Sequence, residues 1–215
     1  MKTFRRVTFP AKARWLASAC RRLADGGTPS QRDVVRLALA WGNLGYAAGV
    51  SYLTLVGRHA ARTQGPVLEC GSGATTLLMG AVTQLRQVPV VALEHNPDWH
   101  AYVSELLSFL GFDHVRLELA PLTQYDEFQW YQAPADSAEG PYRLVVCDGP
   151  PGKTRGGRYG LLPVMGPQLS RDCMILLDDT HRSGEKQVID HWRKHAKLTA
   201  HRLGRFGRYA EVTLC

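Results

Sequence analysis

The chain has 215 residues, 45% of them hydrophobic and 21% charged, with a formal net charge of +7. These values describe one globular domain with ample chain for a single core. They exclude a membrane-spanning protein, because no apolar run approaches the length needed to cross a bilayer, and no small-residue cleavage site after an apolar segment follows the basic start Met1 to Val7, so no secretory signal is expected.

In chain order, residues 11–24 form a predicted helix, with Trp15, Leu16, Ala19 and Leu23 at helical spacing, and Gly26-Gly27 stops it. Ser30 reads as the cap of a second helix, with Asp33 three residues on. A third helix is expected over residues 47–61. Residues 1–63 thus form an N-terminal helical cap, in which Tyr46 and Ser51 are candidates for touching a ligand. Residues 64–215 read as the ligand-binding domain. Strands are expected at 66–70, 88–93, 114–119, 142–147 and 173–177, with helices between them at 75–85, 98–110 and 159–169. Apolar strands alternating with helices imply a parallel sheet covered on both faces. A last helix over 184–194 precedes two strand-like runs, 198–203 and 209–214, around Gly204-Arg205-Phe206-Gly207, which read as a hairpin. The aromatics of the segment Tyr125 to Tyr131 read as cover for the core, with lining of an acceptor pocket as the alternative.

The most informative stretch runs from Val67 to Thr76. An apolar run ends in Glu69-Cys70, and Gly71-Ser72-Gly73 then opens a helix through Ala74-Thr75-Thr76. Open α/β sheets build nucleotide-type sites this way, with free N–H groups of the helix facing the ligand crevice. Gly71 permits an unusual φ and Gly73 a close backbone approach. Glu69 at a strand tip favours a cationic group over a pyrophosphate, so S-adenosylmethionine fits better than a dinucleotide. Glu94 follows Val90-Val91-Ala92-Leu93 about twenty residues beyond Gly73, the spacing of a ribose-binding acid, and His95 can flank the adenine. A nicotinamide-dependent oxidoreductase is disfavoured by Thr76 at the third fingerprint position and by Glu69 itself.

Two further strand ends carry acids. Tyr142 to Cys147 delivers Asp148 to the ligand end of the sheet, ahead of the stiff Gly149-Pro150-Pro151-Gly152. Met174 to Leu177 delivers Asp178-Asp179, followed by Thr180 and His181. Adjacent acids need compensation, and Asp148, Asp178 and Asp179 together would suit Mg²⁺. Such an ion lowers the pKa of a bound hydroxyl, with His181 as the base. Gly152 to Tyr159 adds a basic, glycine-rich loop beside this cluster, which reads equally as a lid over an anionic or sugar-like substrate and as a solvated loop.

With these motifs the chain resembles the class I S-adenosylmethionine-dependent methyltransferases, from Pro66 to the C-terminus. Glu69-x-Gly71-x-Gly73 is similar to their first motif, Glu94 to their ribose acid and Asp148 to their fourth motif. The resemblance implies a Rossmann-like fold: a mostly parallel seven-stranded sheet, a C-terminal antiparallel hairpin and a helical prefix. It implies cofactor contacts at Glu69, Gly71, Ser72, Gly73, Thr75, Glu94, His95 and Asp148. Asp178-Asp179-x-His181 with Asp148 resembles the metal-dependent O-methyltransferases of the macrocin and mycinamicin type. That resemblance implies Asp148, Asp178 and Asp179 as Mg²⁺ ligands, and His181 with Asp148 as catalytic residues. The catechol and glucuronoxylan O-methyltransferase groups have related arrangements. The expected acceptor is a hydroxyl on a small molecule or sugar; N- or RNA methylation on the same fold is the alternative.

Five scattered cysteines (Cys20, Cys70, Cys147, Cys173, Cys215) include no CxxC pair. They read as small hydrophobes in a reducing compartment rather than zinc ligands, which makes the cytoplasm the expected location. Basic residues gather toward both ends of the sequence. They could draw an anionic substrate or nucleic acid, but no recognisable RNA-binding motif accompanies them, so a small-molecule partner is favoured. The apolar prefix helices could support a homodimer.

Overall fold

The computed structural model describes residues 9–25, 27–42, 48–132, 140–182, 184–205 and 207–215. Three helices come first: α1 (Phe9–Leu23), α2 (Gln31–Trp41) and α3 (Val50–Arg62). Ser30 caps α2 as its sequence suggests, its Oγ accepting from the Asp33 N–H at 3.2 Å. Tyr46 lies outside the described residues, and Ser51 is exposed on α3.

The alternation follows: β1 (Val67–Cys70), α4 (Ala74–Thr83), β2 (Val90–Glu94), α5 (Pro97–Leu110) and β3 (Val115–Leu119). Asn96 caps α5 ahead of Pro97, and Gly111, with φ of +69°, ends it in a left-handed turn. A two-stranded hairpin, β4 (Leu122–Tyr125) and β5 (Phe128–Tyr131), then replaces a crossover helix. The remaining elements are β6 (Tyr142–Cys147), β7 (Leu169–Leu177), α6 (Val188–Trp192), β8 (Leu198–Leu203) and β9 (Tyr209–Leu214).

The seven-stranded sheet has the order β3-β2-β1-β6-β7-β9-β8. Its first five strands are parallel, whereas β9 runs antiparallel to β7 and to β8. This is the expected Rossmann-like sheet with a C-terminal antiparallel hairpin. The chain reverses between β1 and β6, where such sheets open a ligand crevice at their carboxyl ends.

Both faces of the sheet are covered, which is why its central strands read as continuous apolar runs. Val67, Val90, Leu144, Val146 and Leu176 pack with α1 to α5 in one buried cluster. Leu68, Val91, Val145, Ile175 and Leu177 pack with Trp130, Tyr131, Leu161, Met165 and Trp192 in the other. The helical prefix therefore shares its core with the sheet. Tyr52 also donates from its hydroxyl to the Leu176 carbonyl at 2.8 Å.

Two expected helices differ. Residues 159–169 form 3₁₀, π and 3₁₀ turns rather than one α-helix. Gly160, Pro163, Gly166 and Pro167 interrupt the ladder there, and Pro lacks the donor that an interior turn needs. The helix expected over 184–194 shortens to a 3₁₀ turn at Glu185–Gln187 and the five residues of α6. All five cysteines are free, and Cys20, Cys70, Cys147 and Cys173 are buried. Among the described residues no helix is long and apolar enough to cross a membrane.

Candidate active site

The loop between β1 and α4 is built around one positive φ. Gly71 has φ of +91°, and a Cβ there would lie 3.1 Å from the Gly149 nitrogen, so conformation and close approach both require glycine. Gly73 is extended (φ 167°), and a Cβ there would make only ordinary contact with Trp41, at 3.8 Å. Trp99 Nε1 donates to the Ser72 carbonyl at 2.9 Å and fixes the loop from α5.

Glu69 lies beneath this turn. It is fully buried and accepts from the hydroxyls of Thr75 and, at 2.6 Å, Thr76. Thr76 Oγ1 in turn accepts from the Gly73 N–H at 2.8 Å. Glu69 thus ties the first turn of α4 to β1 and has no exposed surface of its own. Burial raises its pKa to about 8, opposed by the two threonine hydroxyls and reinforced by Asp148 and Glu94.

Glu94 ends β2 nearly buried. Its Oε2 accepts from Ser72 N (3.2 Å) and Ser72 Oγ (2.8 Å), and its Oε1 from Asn96 N (2.8 Å). His95 Nδ1 lies 3.1 Å from Oε1. Burial opposes ionisation of Glu94, but the adjacent His95 ring and the hydrogen bonds from Asn96 and Ser72 outweigh it and hold the carboxyl below its ordinary range. A carboxylate therefore stands at the β2 tip, linked through Ser72 to the glycine turn.

Asp148, Asp178 and Asp179 converge at the neighbouring tips: each offers a carboxylate oxygen, all within 4.8 Å of one another. The buried guanidinium of Arg158 joins them from the 157–160 turn. Its Nη2 donates to the Asp148 carbonyl (2.5 Å), Asp148 Oδ1 (3.1 Å) and Asp179 Oδ2 (3.0 Å). Its Nη1 lies 3.5 Å from Glu185 Oε1. Arg182 reaches Asp179 Oδ2 at 2.9 Å, and Asp178 Oδ1 accepts from the Asp179 N–H at 2.8 Å. One oxygen of each aspartate is thereby held by the protein, and the other has no partner among the described residues. Burial and Asp178 push Asp148 up to about 7 despite Arg158, and burial and Asp179 raise Asp178. Four carboxylates and two guanidiniums leave the cluster short of positive charge.

Of the residues expected from sequence, the structure brings Gly71, Ser72, Gly73, Glu94, His95 and Asp148 to one end of the sheet. Asp178 and Asp179 join Asp148 there. Thr75 faces Glu69. His181 is half-buried, and its Nδ1 has no partner among the described residues. Sequence reading gave no site role to three residues: Arg158 and Glu185, which complete the acid cluster, and Tyr131. Tyr131 is fully buried, its ring centroid is 6.3 Å from that of His95, and its hydroxyl has no partner among the described residues. That hydroxyl points at Gly149, where a Cβ would fall inside its van der Waals radius and lie 3.1 Å from the Cys70 carbonyl. Gly149→Ala is therefore expected to cost about 1–3 kcal/mol of stability by overpacking. Adding Tyr131→Phe should recover part of that loss, measured by chemical denaturation; equal stabilities for the single and double variants would show that the hydroxyl is not the obstacle.

No protein-family model matches the sequence, and no curated protein matches it. Solved structures do match. A methyltransferase from Podospora anserina, PaMTH1, bound to SAH, is 15% identical over 100% of both chains, with a TM-score of 0.63. An O-methyltransferase from Bacillus cereus, in complex with SAH, is 11% identical over 95% of this chain and 100% of its own, with a TM-score of 0.57. The precorrin-6y C5,15-methyltransferase of Geobacter metallireducens is 12% identical over 78% of this chain and 88% of its own, with a TM-score of 0.51. This chain has the Rossmann-like methyltransferase fold that they share.

Proposed function

We propose that this chain is an S-adenosylmethionine-dependent methyltransferase acting on a hydroxyl, with Mg²⁺ held at the acid cluster. One observation carries the reading. The Asp148 and Gly149 N–H groups both donate to the Cys70 carbonyl, at 3.1 and 2.6 Å, so the acid cluster abuts the glycine turn. A donor on the turn and an acceptor on the acids would then be neighbours, as in-line transfer requires.

In this reading the Gly71–Gly73 turn and the N-terminus of α4 receive the methionine end of the cofactor. Glu94 accepts from the ribose hydroxyls and His95 borders the adenine. Glu69 acts from beneath, holding Thr75 and Thr76 in place. The donor set at Asp148, Asp178 and Asp179 fits a hard divalent ion: it consists of carboxylates, each keeps an oxygen unclaimed, and the cluster lacks positive charge. Bound there, such an ion would lower the pKa of a coordinated hydroxyl. His181 accepts the acceptor's proton, the new O–CH₃ bond forms as the S–CH₃ bond breaks, and Arg158 holds Asp148 and Asp179 in register throughout.

Calorimetric titration of the chain with S-adenosylhomocysteine, with and without Mg²⁺, tests this. Binding in the micromolar range is expected, weakened about tenfold by Glu94→Ala through loss of charge-assisted hydrogen bonds. Absence of binding under every condition would sink the methyltransferase reading. Binding of the cofactor product with no detectable Mg²⁺ site would retain that reading and remove the metal.

A further inference from the structure

Tyr131 ends the β4–β5 hairpin with its hydroxyl between two glycines of the crevice. Its backbone pairs with Leu122, and its carbonyl accepts from the Tyr125 hydroxyl at 3.4 Å. Its ring packs edge-on against Trp130, with centroids 5.2 Å apart, and lies 6.3 Å from the ring of His95. From there the hydroxyl extends to the junction of the β1 and β6 tips. A Cβ on Gly71 would lie 3.5 Å from it, and one on Gly149 would overlap it. The side chain thus runs from the β2 tip, where His95 follows Glu94, to the place where the strand order reverses and such sheets bind ligands.

A buried hydroxyl without a hydrogen bond carries the full cost of leaving water. Tyr52, equally buried, avoids that cost by donating to the Leu176 carbonyl at 2.8 Å. Thr75 and Thr76 avoid it through Glu69, and the Trp192 indole N–H through the Tyr159 carbonyl. The Tyr131 hydroxyl has no partner among the described residues, although the residue is 0% exposed. Trp130 Nε1 also lacks one, but its ring packs on Gly160 rather than on the glycines of the crevice. Burial, with Cys70 and Glu94 nearby, holds the Tyr131 pKa well above its ordinary value, so the phenol stays protonated and can donate. Phenylalanine would fill the same space without the cost of an unmade bond. A polar group kept against stability is the pattern of a binding contact.

We infer that Tyr131 contacts the nucleoside half of the cofactor, which supplies the hydrogen-bond partner that the protein does not. This contact rests on the methyltransferase reading above, which gives Glu94 and His95 to the same half. Tyr131 has no exposed surface in the structure, so the contact requires the Gly149 segment to shift as the ligand enters. The hydroxyl meets that segment at a residue without a side chain, so a backbone shift alone uncovers it.

The test compares Tyr131→Phe with Tyr52→Phe in the full chain, by calorimetric titration with S-adenosylhomocysteine and with adenosine, and by urea unfolding. Tyr131→Phe should bind both ligands about five- to tenfold more weakly than the native chain. Its unfolding midpoint should equal or exceed the native one, because no bond within the protein is lost. Tyr52→Phe should do the reverse, with a lower midpoint and unchanged affinity for both ligands, because its hydroxyl serves the fold. Native affinity for both ligands in Tyr131→Phe would overturn the inference. So would a fall in its midpoint like that of Tyr52→Phe, since the hydroxyl would then have a partner in the fold. Weaker binding of S-adenosylhomocysteine with unchanged binding of adenosine would overturn the assignment to the nucleoside half. If the native chain binds neither ligand, the methyltransferase reading fails and this contact fails with it. Native binding that is indifferent to Tyr131→Phe leaves that reading standing and removes the contact alone.

Discussion

Replacing Arg158 with methionine is expected to cost about 3–5 kcal/mol of stability, the range for stranding buried charges by removal of their partner. Arg158 is 1% exposed and its side chain meets Asp148, Asp179 and Glu185 within 3.5 Å. Its backbone N–H also donates to Glu185 Oε2, at 3.3 Å, so the side chain and the turn that carries it are held by the same acid. Without the guanidinium, Asp148, Asp178, Asp179 and Glu185 would face one another with only Arg182, half-exposed, beside them. Arg158→Lys keeps the charge but cannot bridge two carboxylates and a carbonyl with one planar fork, so its loss should be intermediate. Glu185→Gln in the methionine background should cost less than in the native chain, because the pair acts as one unit. The measurement is urea unfolding, with the midpoint falling at constant slope. If the acid cluster binds Mg²⁺, the ion should restore part of the loss in Arg158→Met, rising with the logarithm of its concentration once that exceeds the dissociation constant. A cost below about 1 kcal/mol would show that the acids relieve themselves through protons or solvent, and that Arg158 is not their main counter-charge.

The parts of this architecture that could be read from sequence are those in which one local pattern has one outcome. Apolar runs that stop at Glu94, Asp148 and Asp178 read as buried strands delivering carboxylates to the carboxyl end of a sheet, and they do so in the structure. Gly71 announced its turn because only glycine tolerates its φ of +91° so close to Gly149. The final hairpin was visible from glycines between two alternating runs. Arg158 was hidden for the opposite reason. It shares the loop 152–158 with Lys153 and Arg155, and nothing local separates the buried cation from the two exposed ones. The difference is made by Glu185, 27 residues later, and by the turn at Gly157–Gly160 that faces it. The β4–β5 hairpin was hidden because its aromatics suit core cover and strand equally. The segment expected as a helix over 159–169 breaks into 3₁₀ and π turns because Pro163 and Pro167 interrupt the ladder that one α-helix there would need. Glu69 was legible as a strand-tip acid but not as a buried one: Thr75 and Thr76 look like ordinary first-turn residues until both hydroxyls are seen to meet the carboxylate.

That burial gives Glu69 the second large expected effect, on the pH dependence of stability. Two influences compete. The free N–H groups at the start of α4 and the two threonine hydroxyls favour the charged carboxylate. Complete burial disfavours it more, and the negative charges of Asp148 and Glu94 add to the penalty, so the folded-state pKa rises from 4.5 to about 8. A group whose pKa is raised on folding binds more protons in the folded chain than in the unfolded one. Its stabilising contribution is therefore complete below the unfolded value and is lost as pH rises through the folded value. The window runs from about pH 4.5 to 8, with a slope of at most about 1.4 kcal/mol per pH unit and a total of a few kcal/mol. Asp148 and Asp178 also titrate upward, so the native curve alone would mix several groups. Glu69→Gln isolates one of them: the amide keeps an acceptor for one threonine and offers a donor to the other, but it cannot ionise. The variant should match the native chain near pH 5 and exceed it increasingly toward pH 8.5. Denaturation curves at closely spaced pH values would measure this difference directly. Parallel curves across the range would mean that Glu69 stays ionised beneath the turn. The threonines and the N-terminus of α4 would then outweigh burial, leaving a permanent negative charge under the place proposed for the cofactor's amino group.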